Sequence, residues 1–207
     1  GEGCSVRVTD MDDRGIEGIA CTVTTAKASY RLATASPGGF MIYPMAMAAA
    51  IGEALGLTGE EIAAGVAAYV PTGSRMHIIR LPEGRLLIDD CYNANPQAMT
   101  EALRLLAVTQ TRRRAAVLGD MGELGELTVS AHRAIGALTG ELHLDSVIAI
   151  GEKARDIASA APNAQWFPSV EDALPAVRAA FTGGTAMLVK ASHAMHFENI
   201  VKELEQS

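Results

Sequence analysis

Residues 5–35 alternate polar and apolar positions in three short runs, SVRVTDMD, GIACTVTT and SYRLATA, and read as strands with a glycine turn over 15–18. SPGG at 36–39 breaks the pattern. From Met41 to Leu55 nearly every residue is Ala, Met, Ile or Leu. That run is too uniform to be amphipathic, so it predicts a helix buried on most sides. Gly56 and Leu57 end this helix, and Thr58 with Glu61 three positions on forms a capping-box pattern for a second one, reaching about Tyr69. VPTGSR at 70–75 is the candidate linker, because proline and glycine stop the helix and nothing apolar follows at once.

A regular alternation follows. Strand-like runs occupy 85–90, 114–120, 146–151, 164–167 and 186–192, and helix-like runs occupy 96–108, 127–140, 152–160, 169–181 and 194–205. Strands separated by helical stretches of this length make βαβ units and a mostly parallel sheet covered on both faces. The expected fold class is α/β, with residues 74–207 forming a Rossmann-like domain. Residues 1–73 are expected to be the strand and helix tail of a preceding domain. With Gly1 in first place and a mid-domain pattern at once, the chain is expected to be a piece of a longer protein.

Composition narrows the partners. Hydrophobic residues make up 49% of the 207 and aromatics 4%, so the core is aliphatic. The formal net charge of −7 gives no electrostatic footprint for nucleic acid or an anionic membrane. A nucleotide remains possible, since helix N-termini and a few cations hold phosphates locally. Cys4, Cys21 and Cys91 are too scattered for a disulfide framework or a zinc site, which suggests a reducing cytoplasm. No apolar run reaches the roughly 18 residues needed to span a bilayer.

In a parallel sheet, ligands collect at the carboxyl ends of the strands. Here those ends read Asp89-Asp90-Cys91-Tyr92-Asn93-Ala94-Asn95, Gly119-Asp120-Met121-Gly122-Glu123, Gly151-Glu152-Lys153 and Lys190-Ala191-Ser192-His193. Each also has a plain structural reading. Asn95 before Pro96 is a good helix start. Asp89 or Asp90 suits a turn, and Glu123 suits a helix N-terminus. GDMGELG is not the dinucleotide fingerprint, so NAD and FAD are not inferred. His193 and His196 lack a third ligand, so surface or capping roles fit them better than a metal.

Taken together, IDDCYNANPQAM, AAVLGDMGELG, His132 and LVKASHAMHFENIV resemble, in order and spacing, the C-terminal domain of the Mur ligases. Residues 37–57 resemble the stretch near the end of that family's central ATPase domain. The likeness is strongest to the branch whose amine substrate is D-alanyl-D-alanine. The resemblance implies a cytoplasmic, monomeric, ATP-dependent ligase of peptidoglycan synthesis, acting on a UDP-N-acetylmuramoyl tripeptide with ATP and Mg2+. It also implies that the sugar-binding domain and the phosphate loop lie outside this chain, where GxxxxGK[ST] does not occur. The magnesium would be held mainly by that missing part, and the fragment alone is expected to be inactive.

Carried over by position, Arg75 is expected to reach the ATP phosphates and Asp90 the ribose, with Tyr92, Asn93 and Asn95 extending the nucleotide wall. Lys190, Ser192 and His193 fall near the second substrate. Lys190 is expected to bind the dipeptide carboxylate, and Asp120 or Glu123 its ammonium. Phe40 and Pro44 stand where the family has His and Asn, and Pro44 predicts a helix start later than the family's. Ala191 and His193 stand where it has Gly and Arg. Two alternatives stay open: a sister Mur or folylpolyglutamate-type ligase, and a non-catalytic module that binds a nucleotide or a protein.

Overall fold

The computed structural model describes residues 4–206. They form two compact units that divide between Pro71 and Thr72. In the first unit, β1 (Arg7–Asp13), β2 (Ile19–Thr24) and β3 (Ser29–Thr34) make an antiparallel sheet in that order. Gly18 precedes β2 with φ +99°, and a Cβ there would lie 2.0 Å from the Thr34 carbonyl oxygen, so the turn requires glycine. Helices α1 (Ile42–Ala54) and α2 (Gly59–Ala67) cover the sheet, closing a core of Ile19, Cys21, Val23, Leu32, Met45 and Ile62. Thr58 and Glu61 make the reciprocal capping box that their spacing predicts.

Helix α1 departs from expectation in its burial. Only Met45, Ala49 and Gly52 are buried, while Tyr43, Met47, Ile51 and Leu55, spaced four apart, are 57–75% exposed. A uniformly apolar run carries no phase, so its burial is set by what packs against it, here one sheet and one helix. The helix starts at Ile42, two residues ahead of Pro44. The proline lies in the first turn, where the missing N–H would have had no intrahelical partner.

In the second unit, β4 (His77–Leu81), β5 (Arg85–Asp89), β6 (Arg113–Gly119), β7 (Ser146–Ile150), β8 (Ala164–Phe167) and β9 (Thr185–Lys190) form a six-stranded sheet in the order β4-β5-β9-β6-β7-β8. All neighbours run parallel except β4, an antiparallel edge strand. The sequence reading passes over β4. Its His77 and Arg80 dilute the apolar signal, and it is held by a tight turn in which Glu83 and Gly84 both take positive φ. Strand β9 is buried from end to end and β6 and β7 are buried beyond their first residues, as sheets covered on both faces require.

Helices α3 (Pro96–Val108), α4 (Thr128–Glu141) and α5 (Arg155–Ala160) pack against one another on one face. Helices α6 (Val170–Ala180) and α7 (Glu198–Glu205) close the other face over Leu87, Val117, Ile148 and Val189. Helix α3 begins as predicted, with the Asn95 side chain accepting from the Ala98 amide and Pro96 at the first position. Helix α7 begins at Glu198, later than the expected 194, because a short turn over His193–Met195 ends with His196 in the left-handed region. Among the described residues, no helix is long and apolar enough to cross a membrane.

Candidate functional site

Strand β9 lies between β5 and β6, but its chain turns to α7 on one face while those of β5 and β6 turn to α3 and α4 on the other. Loops that part in this way leave a crevice beyond the strand tips. Register sets what meets there. Asp89 pairs with Val189 and Leu118 with Lys190, so Asp90, one residue past its strand pair, Lys190, and Asp120, two residues past Leu118, come to the same end of the sheet.

At the β5 and β9 tips the Lys190 ammonium is 2% exposed and lies 2.6 Å from Asp90 Oδ2, whose side chain is 14% exposed. It also donates to the Asn93 carbonyl at 2.8 Å and approaches the Asp90 carbonyl at 3.4 Å. Asp90 Oδ1 accepts from the Met76 amide at 3.1 Å. Burial pushes the Asp90 carboxyl above its ordinary pKa, opposed by the ammonium and that amide. The Tyr92 amide donates to the Ser74 carbonyl at 3.0 Å, and the exposed Arg75 guanidinium lies 4.0 Å from the Tyr92 ring centre. The His193 ring is 5.3 Å from that of Tyr92 and 6.3 Å from that of His196, which pairs with Glu198 at 3.1 Å.

The loop after β6 is tied to α4 and to the β9 loop by uncharged groups. His132 is fully buried; its Nε2 accepts from the Met121 amide at 3.0 Å, so Nδ1, 2.7 Å from the Thr128 carbonyl, carries the proton. The Gly122 amide donates to Ser192 Oγ at 2.9 Å and the Ser192 amide to the Asp120 carbonyl at 3.1 Å, tying β6 to β9. Ser192 keeps its own hydroxyl hydrogen to donate. Asp120 Oδ1 accepts from the Ala154 amide at 2.7 Å, which closes the β7 loop beneath it. Gly151, at φ +112°, leaves room for that carboxylate, since a Cβ would stand 2.6 Å from Oδ1.

The rim thus gathers Arg75, Asp90, Tyr92, Asn93, Asp120, Lys190, Ser192 and His193. Glu123 is exposed at φ +60° on the β6 loop. Asn95 Oδ1 serves as the α3 cap, at 2.9 Å from the Ala98 amide. The dipeptide role expected for Lys190 needs an ammonium at the surface, and this one is enclosed by three protein oxygens. His132 and the Ser74–Met76 backbone are the parts that residue-by-residue reading did not assign. The advance signal for His132 was its place between two of the motifs that carry the resemblance. Among the described residues, no three His, Cys, Asp or Glu side chains gather as a metal would require. A groove of about 340 Å³ in the first unit, lined by Met41, Met45, Ala48, Ile62, Val66 and Tyr69, has Thr34 and Glu61 as its polar residues and none from the strand tips.

Residues 74–193 match the family model described as "Mur ligase, glutamate ligase domain". The chain is 34% identical over 170 residues to the UDP-N-acetylmuramoyl-tripeptide–D-alanyl-D-alanine ligase of Bacillus subtilis, covering 78% of this chain and 37% of that protein. The enzyme of the same name from Escherichia coli is 29% identical over 192 residues, covering 92% and 42%. A crystal structure of MurF from Acinetobacter baumannii superposes with a TM-score of 0.89 at 27% identity, over 100% of this chain and 46% of that one. The chain therefore spans about two fifths of the length of the curated relatives it matches.

Proposed function

This chain belongs to the Mur ligase family, and from that premise we propose that it is the carboxyl-terminal part of an ATP-dependent ligase that joins D-alanyl-D-alanine to a UDP-N-acetylmuramoyl tripeptide. Residues 1–73 belong, on this reading, to the end of the central ATPase domain and residues 74–207 to the C-terminal domain. A carboxylate is a poor acylating agent. Transfer of the ATP γ-phosphoryl group to the tripeptide carboxylate forms an acyl phosphate and releases ADP. The dipeptide amine then attacks the acyl carbon: the C–N bond forms, the C–O bond to phosphate breaks, and the nitrogen gives up a proton. Such a reaction depends on alignment of the reactants and on neutralising phosphate charge.

The observation that carries the reading is the joining of the DDCYNANP, GDMGEL and KAS tips by direct hydrogen bonds at one rim. Arg75, exposed and braced on Tyr92, supplies a permanent cation for the phosphates. Asp90, Tyr92 and Asn93 form the wall on which the nucleoside lies, with Asn95 acting through the α3 cap. Asp120 and Glu123 face the dipeptide ammonium, while the Ser192 hydroxyl and His193 face its carboxylate. The donor set of these residues does not fit a magnesium site, so no step is assigned to the metal here. The chain alone binds ATP weakly and catalyses nothing.

The test is phosphate release by the full-length protein given ATP, the tripeptide and D-alanyl-D-alanine. Turnover with that dipeptide and not with L-amino acids supports the reading. Turnover only with another amine moves the protein to a sister ligase. No turnover with any amine leaves the non-catalytic module.

A further inference from the structure

We propose that Lys190 is a positioning residue: from beneath the rim its buried ammonium sets Arg75 against Tyr92. One cation holds both halves of that pair. Through Asp90 Oδ2 it fixes the carboxylate whose Oδ1 accepts from the Met76 amide, and so fixes the Ser74–Met76 segment that carries Arg75. Through the Asn93 carbonyl it fixes the loop that carries Tyr92. The Tyr92 amide on the Ser74 carbonyl closes the ring of contacts.

The segment needs such a hold. Gly73 and Met76 sit at φ +61° and +51°, and Met76 is a large side chain in a conformation that glycine prefers. At 2% exposure, the Lys190 ammonium is enclosed by the Asp90 carboxylate and the two carbonyls. The clasp itself stands on geometry. Only its consequence, an arginine aimed at nucleotide phosphates, rests on the ligase reading.

Two measurements test this and separate the two claims. In the 207-residue chain, hydrogen exchange is followed at the Met76 and Tyr92 amides in K190M and K190R. The expected result is at least about tenfold loss of protection at both amides, with the Ala154 amide on Asp120 unchanged. Unchanged protection at Met76 and Tyr92 overturns the proposal, whatever the enzyme does. In the full-length ligase, K190M is expected to raise KM for ATP about tenfold and to leave KM for the dipeptide within about twofold. A rise in the dipeptide KM alone would make Lys190 a direct ligand, and an equal rise in both would make it a general structural prop; either result overturns the proposal. If K190M does not fold, K190M/D90N, which leaves no unpaired buried charge, takes its place. It is expected to match D90N at the Met76 amide and to lose further protection at the Tyr92 amide, which Lys190 also holds through the Asn93 carbonyl; a further loss at Met76 beyond D90N overturns the route through Asp90. If the protein ligates nothing, the exchange measurement still decides the clasp.

Discussion

The two halves of the rim are built on opposite principles. Where β5 meets β9, a lysine and an aspartate are buried together and the loops hang from their charges. Where β6 meets β9, the loop hangs from a neutral imidazole, a serine hydroxyl and backbone amides. A buried ion pair adds little net stability over an apolar pair of equal size, but removal of one partner strands the other. A neutral network loses only its own bonds and volume. The charged half should therefore be the brittle one, and the neutral half the rigid support beneath it.

The largest effect should come from the charged half. K190M strands Asp90 and is expected to lower unfolding free energy by about 3–5 kcal/mol in urea titration, while K190M/D90N recovers most of that. Equal losses in the single and double variants would break the contrast. H132A at the neutral half removes two hydrogen bonds and leaves a small void, for an expected loss of about 2–4 kcal/mol. A loss exceeding that of K190M would reverse the comparison.

A third measurement sharpens it through pH. Burial, with a hydrogen bond to Asp89, pushes the Cys91 thiol at the β5 tip from 9.0 up to about 12. Above pH 9 the unfolded thiol ionises while the native one stays protonated, so the stabilising difference is lost as pH rises toward 12. Unfolding free energy should fall by at most about 1.4 kcal/mol per pH unit in that window. C91A should flatten this component of the slope, and H132A should leave it in place. The smallest change in stability, under about 0.5 kcal/mol, is expected for E123K on the exposed loop. On the proposed ligase reading, the same variant in the full-length protein should raise KM for D-alanyl-D-alanine, and an unchanged KM would remove Glu123 from the proposed dipeptide site.

Local chemistry could be read with little loss. Thr58 and Glu61 cap α2, and Asn95 and Pro96 open α3, where spacing places them, because those interactions close within one turn. The buried strands announce themselves as mostly apolar runs, and their places in the chain set Asp90, Asp120 and Lys190 at strand carboxyl ends, where the structure has them. Strand β4 escapes because an edge strand with polar ends carries a weak period. The exposed stripe of α1 escapes because uniform composition has no preferred face.

The chain alone determined the elements other than β4, the caps of α2 and α3, the fold class and the polar residues at the strand ends, since each follows from neighbours a few positions apart. Only the folded sheet decided what those residues do there. Lys190 and Asp90 are 100 residues apart in sequence and become partners because β9 inserts beside β5. Insertion buries the ammonium, and an ammonium cut off from water must bind the nearest oxygens, so side-chain type alone could not say whether this lysine faced a ligand or the protein.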